Sequence, residues 1–315
     1  MSRDDGRTRI SVLIPTYRRP RLLALCLDSL RSQTVPPGDF EVVVVDDCSG
    51  PETVEILTGA EATMPTLRWV SQPENRGPAA ARNRAIEMAS SDLLLFLDDD
   101  IVASPTLVER HLAAHSEDRG PVGVVGHVAW LPELEITPFM HWLEAGTLQF
   151  SFASMKPGIQ DDSTTGFYTC NLSLRAIDLA EAGGFDERFP YPAYEDTELA
   201  IRLAKRGFRL DYRPDALAWH SRAVTLAEFC ARMVMVGESA LILGEVLPGA
   251  KVIADELAGY RHAMPVRLAV AAAHRVVPRA FGKDLRGSYY LSRVSAAYQE
   301  GLRRGAAARA GRQTG

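Results

Sequence analysis

The chain has 315 residues, 46% of them hydrophobic and 24% charged, a balance that supports a globular fold with a sizeable core and excludes a disordered or fibrous one. Its formal charge of -5 and pI near 5.9 give no overall positive field, so nucleic acid is not an expected partner. Cys26, Cys48, Cys170 and Cys230 are dispersed without a C-x-x-C pair, which argues against a disulfide framework or a zinc site.

The N-terminal MSRDDGRTR is polar, and Glu238 and Glu245 interrupt the most apolar stretch, so no signal peptide or membrane span is expected and the expected location is cytoplasmic. The first half alternates short apolar runs with helical patterns, which predicts βαβ units around a mostly parallel sheet. Residues 9–15 (RISVLIP) read as a buried strand; Pro20 then suits a first helical turn, and Leu23, Cys26, Leu27 and Leu30 follow at helical spacing. Residues 40–47 (FEVVVVDD) form a second strand, continuous in valine as in strands covered on both faces. A weaker strand at 66–71 precedes Asn75, Arg76 and Gly77 and an Ala-rich helix over 78–89. Residues 92–98 (DLLLFLD) form a fourth strand, after which Ser104 and Pro105 are expected to cap a helix towards His115. Regularity falls beyond residue 120: 122–130 fits a strand, whereas 131–162 has the aromatic and turn content of a lid or acceptor region. Strands at 167–175, 208–212 and 216–219 and a helix at 195–206, ended by Gly207, complete this part. From Thr225 the pattern is helical and rich in Ala and Arg, and the end from Arg303 is too small and polar to require a fold.

The acidic residues fall at strand ends. Asp98, Asp99 and Asp100 repel one another, so holding them together calls for a compensating cation or positively charged partners; a hard, oxygen-seeking ion such as Mg²⁺ or Mn²⁺, completed by diphosphate oxygens and water, suits them. A solvated acidic turn is the alternative reading. Asp46 and Asp47 end the second strand, where a carboxylate can accept from a base N–H or a ribose hydroxyl. Gly77 opens a helix whose N-terminal dipole, with Arg76 and Arg82, favours a phosphate-rich ligand. Further on come GGFDERF (183–189), YED (194–196) and the pair Trp219-His220. Glu195 or Asp196 could take a proton from an attacking hydroxyl as a general base, or could simply stabilise a helix start.

In this order, IPTYRR, VVDDCS, ENRGPAAARN, LDDD, GGFDERF, YED and WH resemble the family 2 glycosyltransferases over roughly residues 9–220. The resemblance implies a GT-A fold, a Rossmann-like mixed and mostly parallel sheet of about seven strands flanked by helices, here with a helical C-terminal extension. It implies inverting transfer of a sugar from a nucleoside diphosphate sugar, a UDP-sugar favoured, to a hydroxyl of a glycan, lipid-linked or small-molecule acceptor, with a divalent metal. Matched by motif, Pro15, Thr16 and Tyr17 resemble the loop beneath the nucleotide and Asp47 the residue reading the base. Arg76, Gly77, Arg82 and Asn83 resemble the segment near ribose and phosphate, Asp98 and Asp99 the ribose side of the acidic motif, Asp100 and His220 the metal ligands, and Asp196 the base, with Glu195 beside it. Processive synthases of the family carry Q-x-x-R-W after the ED pair; its absence implies transfer of one or a few sugars.

The expected layout is a catalytic domain over 1–222, with a nucleotide half at 9–117 and an acceptor half at 118–222, then a helical extension over 223–302 and an unstructured tail over 303–315. Residues 266–281 (VRLAVAAAHRVVPRAF) are amphipathic and basic; docking on the catalytic domain or on a second copy is expected before contact with a membrane surface. A sugar nucleotidyltransferase should carry a Gly-rich loop after its first strand, where this chain has Pro15, Thr16, Tyr17, Arg18 and Arg19. The presence of both LDDD and YED argues against the other alternative, a catalytically inactive nucleotide-sugar-binding protein.

Overall fold

Fully buried valine and leucine runs, bounded by Pro and Gly, set the architecture. The structure, a computed structural model, describes residues 8–116, 120–146, 152–248 and 283–313. The elements of the first half are β1 (Ile10–Thr16), α1 (Pro20–Arg31), β2 (Phe40–Asp46), α2 (Pro51–Glu61), β3 (Leu67–Ser71), α3 (Pro78–Met88), β4 (Leu93–Leu97), β5 (Ile101–Ala103) and α4 (Leu107–Ala114). They are followed by β6 (Val122–Trp130), α5 (Pro138–Ala145), β7 (Gly158–Ile159), β8 (Asn171–Arg175), α6 (Ala176–Ala182), α7 (Glu195–Ala204), β9 (Arg209–His220), α8 (Leu226–Val246) and α9 (Lys283–Gln313).

Contacts divide the chain into two units. The first comprises residues 1–136, 146–190 and 195–223 and holds one nine-stranded sheet in the order β3-β2-β1-β4-β8-β6-β9-β5, with β7 paired to β9. The β3-β2-β1-β4 half is parallel, as the βαβ pattern predicts; β8 then runs antiparallel to both β4 and β6. Every residue of β2 and β4 is buried, which is why both read as unbroken apolar runs. Helix α1 buries Leu23, Cys26, Leu27 and Leu30, the predicted stripe, and α3 turns Ala79, Ala80, Ala81 and Ala85 inward, where small side chains allow close approach to β1 and β2.

Pairing sets the far side of this unit. β9 runs parallel to β6, with Gly126 opposite Arg213 and His127 opposite Leu217, so Pro214, Asp215 and Ala216 bulge out of the ladder. Gly126 admits the bulge, since a Cβ there would fall 2.2 Å from the Ala216 carbonyl oxygen. Helix α4 is fastened by a buried polar chain: His111 Nδ1 lies 2.7 Å from Ser173 Oγ and its Nε2 2.8 Å from Asn171 Oδ1, while His115 Nε2 lies 2.9 Å from Ser173 Oγ. Asn171 Nδ2 donates onward to the Ala216 carbonyl at 2.9 Å.

The second unit comprises residues 137–145, 191–194 and 224–315. Within it α8 begins with a reciprocal cap, Glu228 N donating to Thr225 Oγ1 at 3.2 Å and Thr225 N to Glu228 Oε2 at 2.9 Å. α8 crosses α9 at Gly237 and Gly301, and Phe139 on α5 meets Phe229 and Tyr290 edge-on.

Several local expectations differ from the structure. The strands expected at 208–212 and 216–219 are one strand, β9, because the bulge rather than a loop absorbs the Pro214 interruption. Ser104 does not cap α4; Thr106 occupies that position and its side chain makes no cap bond. α2, α5, α6, β5 and β7 are additional elements, short or weakly periodic in sequence. The tail expected to be unstructured from Arg303 is helical to Gln313, since its alanines and arginines are strong helix formers. The basic stretch 266–281 lies outside the described residues. Among the described residues no helix is long and apolar enough to cross a membrane.

Candidate active site

β1, β2 and β4 are parallel neighbours, so their carboxyl ends bring Thr16, Asp46, Asp47 and the 98–100 run to one edge of the sheet. Asp46 is internal, accepting from Ser49 N at 3.0 Å and from Ser71 Oγ at 2.8 Å. Asp47 is also buried, and both of its oxygens are engaged by the segment leading into α3. Oδ1 accepts from Gln72 Nε2 at 2.7 Å and Arg76 N at 2.8 Å, and Oδ2 from Asn75 Nδ2 at 2.9 Å and Gly77 N at 2.8 Å. Asp47 thus shapes the turn at the start of α3. Pro15, the next-to-last residue of β1, is half-buried, and Tyr17 just past the strand is exposed with the Arg18 guanidinium 4.9 Å from its ring centre.

The three acidic residues after β4 have different surroundings. Asp99 accepts from Thr16 Oγ1 at 2.7 Å and from Arg19 Nη1 at 3.0 Å; the same Nη1 lies 3.2 Å from Asp100 Oδ2. Burial, with Asp100 and Asp98 close by, pushes the Asp99 carboxyl up to about 7 against the pull of Arg19 and Thr16. Asp100 stands at the start of β5, which pairs antiparallel with β9 so that Ile101 faces His220. This register brings His220 Nδ1 to 3.6 Å from Asp100 Oδ1, and Ser221 N donates to the Asp100 carbonyl at 2.9 Å. Asp98 is one-third exposed and paired to Arg82.

The segment from GGFDERF to the ED pair reaches this edge through α3. Asn83 is bonded to both sides of Phe185, donating to its carbonyl at 2.9 Å and accepting from its N–H at 2.9 Å. Asn83 Nδ2 and Arg76 Nη2 both donate to Glu187, at 2.9 and 2.7 Å. Gly77 (φ 85°) lies so close to Pro190 that a Cβ would fall 2.7 Å from its carbonyl oxygen. Arg82, buried on α3, donates through Nη1 to Glu195 Oε1 at 2.8 Å and through Nη2 to Asp98 Oδ1 at 2.9 Å. Burial opposes the charge on Arg82, but Asp98 and Glu195 raise its affinity for the proton above the ordinary arginine value. Burial and the adjacent Asp196 push the Glu195 carboxyl up to about 7, against Arg82. Asp196 is half-buried in the first turn of α7 and accepts from Thr197 N at 2.7 Å.

The structure therefore gathers Thr16, Asp98, Asp99, Asp100 and His220 at one sheet edge and joins Glu195 to them through Arg82. It gives Asn83 and one edge of Arg76 to the 185–187 segment, where the motif had suggested ribose and phosphate. The sequence does not single out Arg19, Gln72, Asn75 and Glu187; the pairing of β1 with β4 brings in Arg19, that of β2 with β3 brings in Gln72 and Asn75, and the return of the chain after α6 brings in Glu187.

Asp100 and His220 supply oxygen and nitrogen donors suited to Mn²⁺ or Mg²⁺. Among the described residues no group of three or more His, Cys, Asp or Glu side chains is arranged to hold a metal. Such a sparse set fits an ion that takes its remaining ligands from substrate phosphates and water.

A mixed sheet with an acidic edge of this kind defines the GT-A class of fold, and solved structures agree. The mannosyltransferase PcManGT from Pyrobaculum calidifontis, in complex with GDP-Man and Mn²⁺, superposes with a TM-score of 0.59 at 20% identity over 93% of this chain and 87% of its own. S. aureus TarS 1-349 in complex with UDP-GlcNAc gives 0.55 at 20% identity over 94% of this chain and 91% of its own. Residues 11–168 match Glycosyl transferase family 2, and the chain belongs to that family. Validoxylamine A glucosyltransferase of Streptomyces hygroscopicus subsp. limoneus is 33% identical over 232 residues, 63% of this chain and 48% of that protein. The chain spans about half the length of the curated relatives it matches.

Proposed function

We propose that this protein is a metal-assisted, inverting glycosyltransferase that moves a sugar from a nucleoside diphosphate sugar, a UDP-sugar favoured, to a hydroxyl of a discrete acceptor. The observation that carries the reading is the union at one sheet edge of an acidic run with Asp99 and Asp100 buried, a histidine 3.6 Å from Asp100, and an ED pair joined to that run through Arg82. The GDP-Man and UDP-GlcNAc bound by the structural neighbours support a nucleoside diphosphate sugar as donor.

In this reading the nucleotide rests on Pro15, Thr16 and Tyr17 and on the turn that Asp47 organises, with Asp98 and Asp99 towards the ribose. Asp100 and His220 would hold the ion, which when bound supplies positive charge to the departing diphosphate. Asp196 accepts the proton of the acceptor hydroxyl as that oxygen attacks the anomeric carbon from the face opposite the diphosphate. Inversion follows from this single displacement. The half-burial of Asp196 suits a base that must meet an incoming acceptor while one oxygen is steadied by the Thr197 N–H.

The test is a thermal-shift screen of nucleoside diphosphate sugars with Mn²⁺ and with chelator, followed by transfer with the stabilising donor and NMR of the product anomer. A metal-dependent rise in melting temperature with one donor, and an inverted product, are expected. A product that retains the donor's configuration, or stabilisation unaffected by chelator, overturns the respective part of the proposal.

A further inference from the structure

The motif around α3 suggests that Arg82 faces the donor phosphates, but its guanidinium is committed elsewhere. Its two terminal nitrogens are divided between Glu195 and Asp98, at 2.8 and 2.9 Å, and Arg82 and Glu195 are each only 3% exposed. The guanidinium carbon lies 5.7 Å from the centre of the Phe185 ring, and Arg82 Nε and Glu195 Oε2 are buried without a hydrogen-bond partner among the described residues. The bridge thus rests on one nitrogen–oxygen contact at each end.

The geometry points to Arg82 as a positioning residue for sugar transfer: it fixes the start of α7, and with it Asp196, relative to the acidic end of β4, instead of contacting the donor. The inference rests on the proposed transfer reaction and adds to it the means by which the two halves of the site keep register. Three observations converge. A planar guanidinium can address two carboxylates through separate nitrogens, whereas an ammonium presents all its donors from one point. The neighbouring Asn83 grips Phe185 through both its N–H and its carbonyl, so consecutive residues of α3 hold the stretch that leads into the ED pair. Asp98 follows β4 directly and Glu195 is the first residue of α7, so the bridge joins two element termini, where small rotations displace the adjoining side chains most. A misplacement of a reacting group by about 1 Å can cost 10²-fold in rate.

Arg82→Lys in the full chain separates this role from the others. Lysine keeps a buried cation beside Glu195 but cannot hold both carboxylates as the fork does. The expected result is a melting temperature within a few degrees of the parent, a donor dissociation constant within about threefold, and kcat lower by about 10²-fold. Unchanged kcat in the folded variant overturns the proposal, as does a parallel loss of donor affinity, which would put Arg82 on the donor phosphates. Should Arg82→Lys not fold, Arg82→Met combined with Glu195→Gln removes both buried charges, and restoration of kcat above that of Glu195→Gln alone overturns the positioning role. A second measurement needs no activity. Asp98→Asn and Glu195→Gln, singly and together, should shift the urea midpoint non-additively in the parent and additively in Arg82→Lys. Additivity in both backgrounds overturns the bridge itself; an absence of transfer by the parent, with this coupling intact, overturns the reaction and leaves the bridge standing.

Discussion

His220 Nδ1 lies 3.6 Å from Asp100 Oδ1 although the two residues are 120 positions apart, because β5 begins one residue after Asp100 and pairs with the last residues of β9. That register makes the first prediction specific. Asp100→Asn should abolish stimulation by Mn²⁺ and lower transfer by about 10²-fold or more, the scale of a lost charge-stabilising group. His220→Ala should weaken Mn²⁺ binding at least about tenfold, since even outer partners of a metal site are worth that much. Titration calorimetry with Mn²⁺ and a chelator-controlled transfer assay check both, and full activity in excess chelator refutes the assignment.

Asp196→Asn keeps shape and polarity but cannot accept a proton. Turnover should fall by about 10²-fold or more while the donor dissociation constant stays close to that of the parent. A residue serving only to steady the helix start would instead cost about 1 kcal/mol of stability with near-normal turnover. Turnover, donor affinity and melting temperature measured on one preparation distinguish the two patterns.

Asp47 accepts from four donors of the 72–77 segment, two of them backbone N–H groups. In Asp47→Asn the amide nitrogen faces N–H groups where an oxygen stood, so a loss of about 2–3 kcal/mol is expected from stranded donors and a lost charged acceptor. Donor affinity should fall with it, because the turn into α3 loosens. Urea denaturation with donor titration checks this, and weakened donor binding at unchanged stability would mean that Asp47 meets the base directly.

His111 predicts how stability varies with pH. Burial, with His115 nearby and against the Asn171 hydrogen bond, lowers it from an ordinary histidine to about 4. Between pH 6.5 and 4 the unfolded chain therefore binds a proton there that the folded chain does not, and stability declines as pH falls through this window. The full loss is about 3 kcal/mol, complete below the folded value. Urea unfolding from pH 7.5 to 4.5 should show the decline in the parent and a flatter curve in His111→Asn; equal slopes would contradict it.

How much of this was legible in the sequence depends on the range of the contact involved. The parallel half of the sheet shows in the buried valine and leucine runs of β2 and β4 and in the stripe of α1, because burial on both faces leaves a local signature. The strand ends bearing Asp47 and Asp98 are legible for the same reason. The partners of those carboxylates are not: Arg19 approaches Asp99 only because β1 lies beside β4, and Glu187 reaches Arg76 only because the chain returns after α6. The motif identified Arg82 and Asn83 as notable residues without showing which way they face, since orientation is a property of packing. The sequence shows β9 as two strand candidates, 208–212 and 216–219, and it is the pairing with β6 and β5 beyond Ala216 that makes them one strand.

The outward bow of Pro214, Asp215 and Ala216 acts as a spacer that sets the phase of everything after it in β9. Up to Arg213 the strand is in step with β6; from Leu217 it is in step again, offset by an odd number of residues. Alternation of side chains across a strand means that sliding this half by one position sends every one of them to the opposite face. A one-residue deletion taken up in this way would carry His220 away from Asp100 and turn its ring across the sheet, even with every residue of the acidic edge unchanged. Shortening the bulge at 214–216 is thus a change to His220, one of the two proposed metal ligands, made from the middle of its strand.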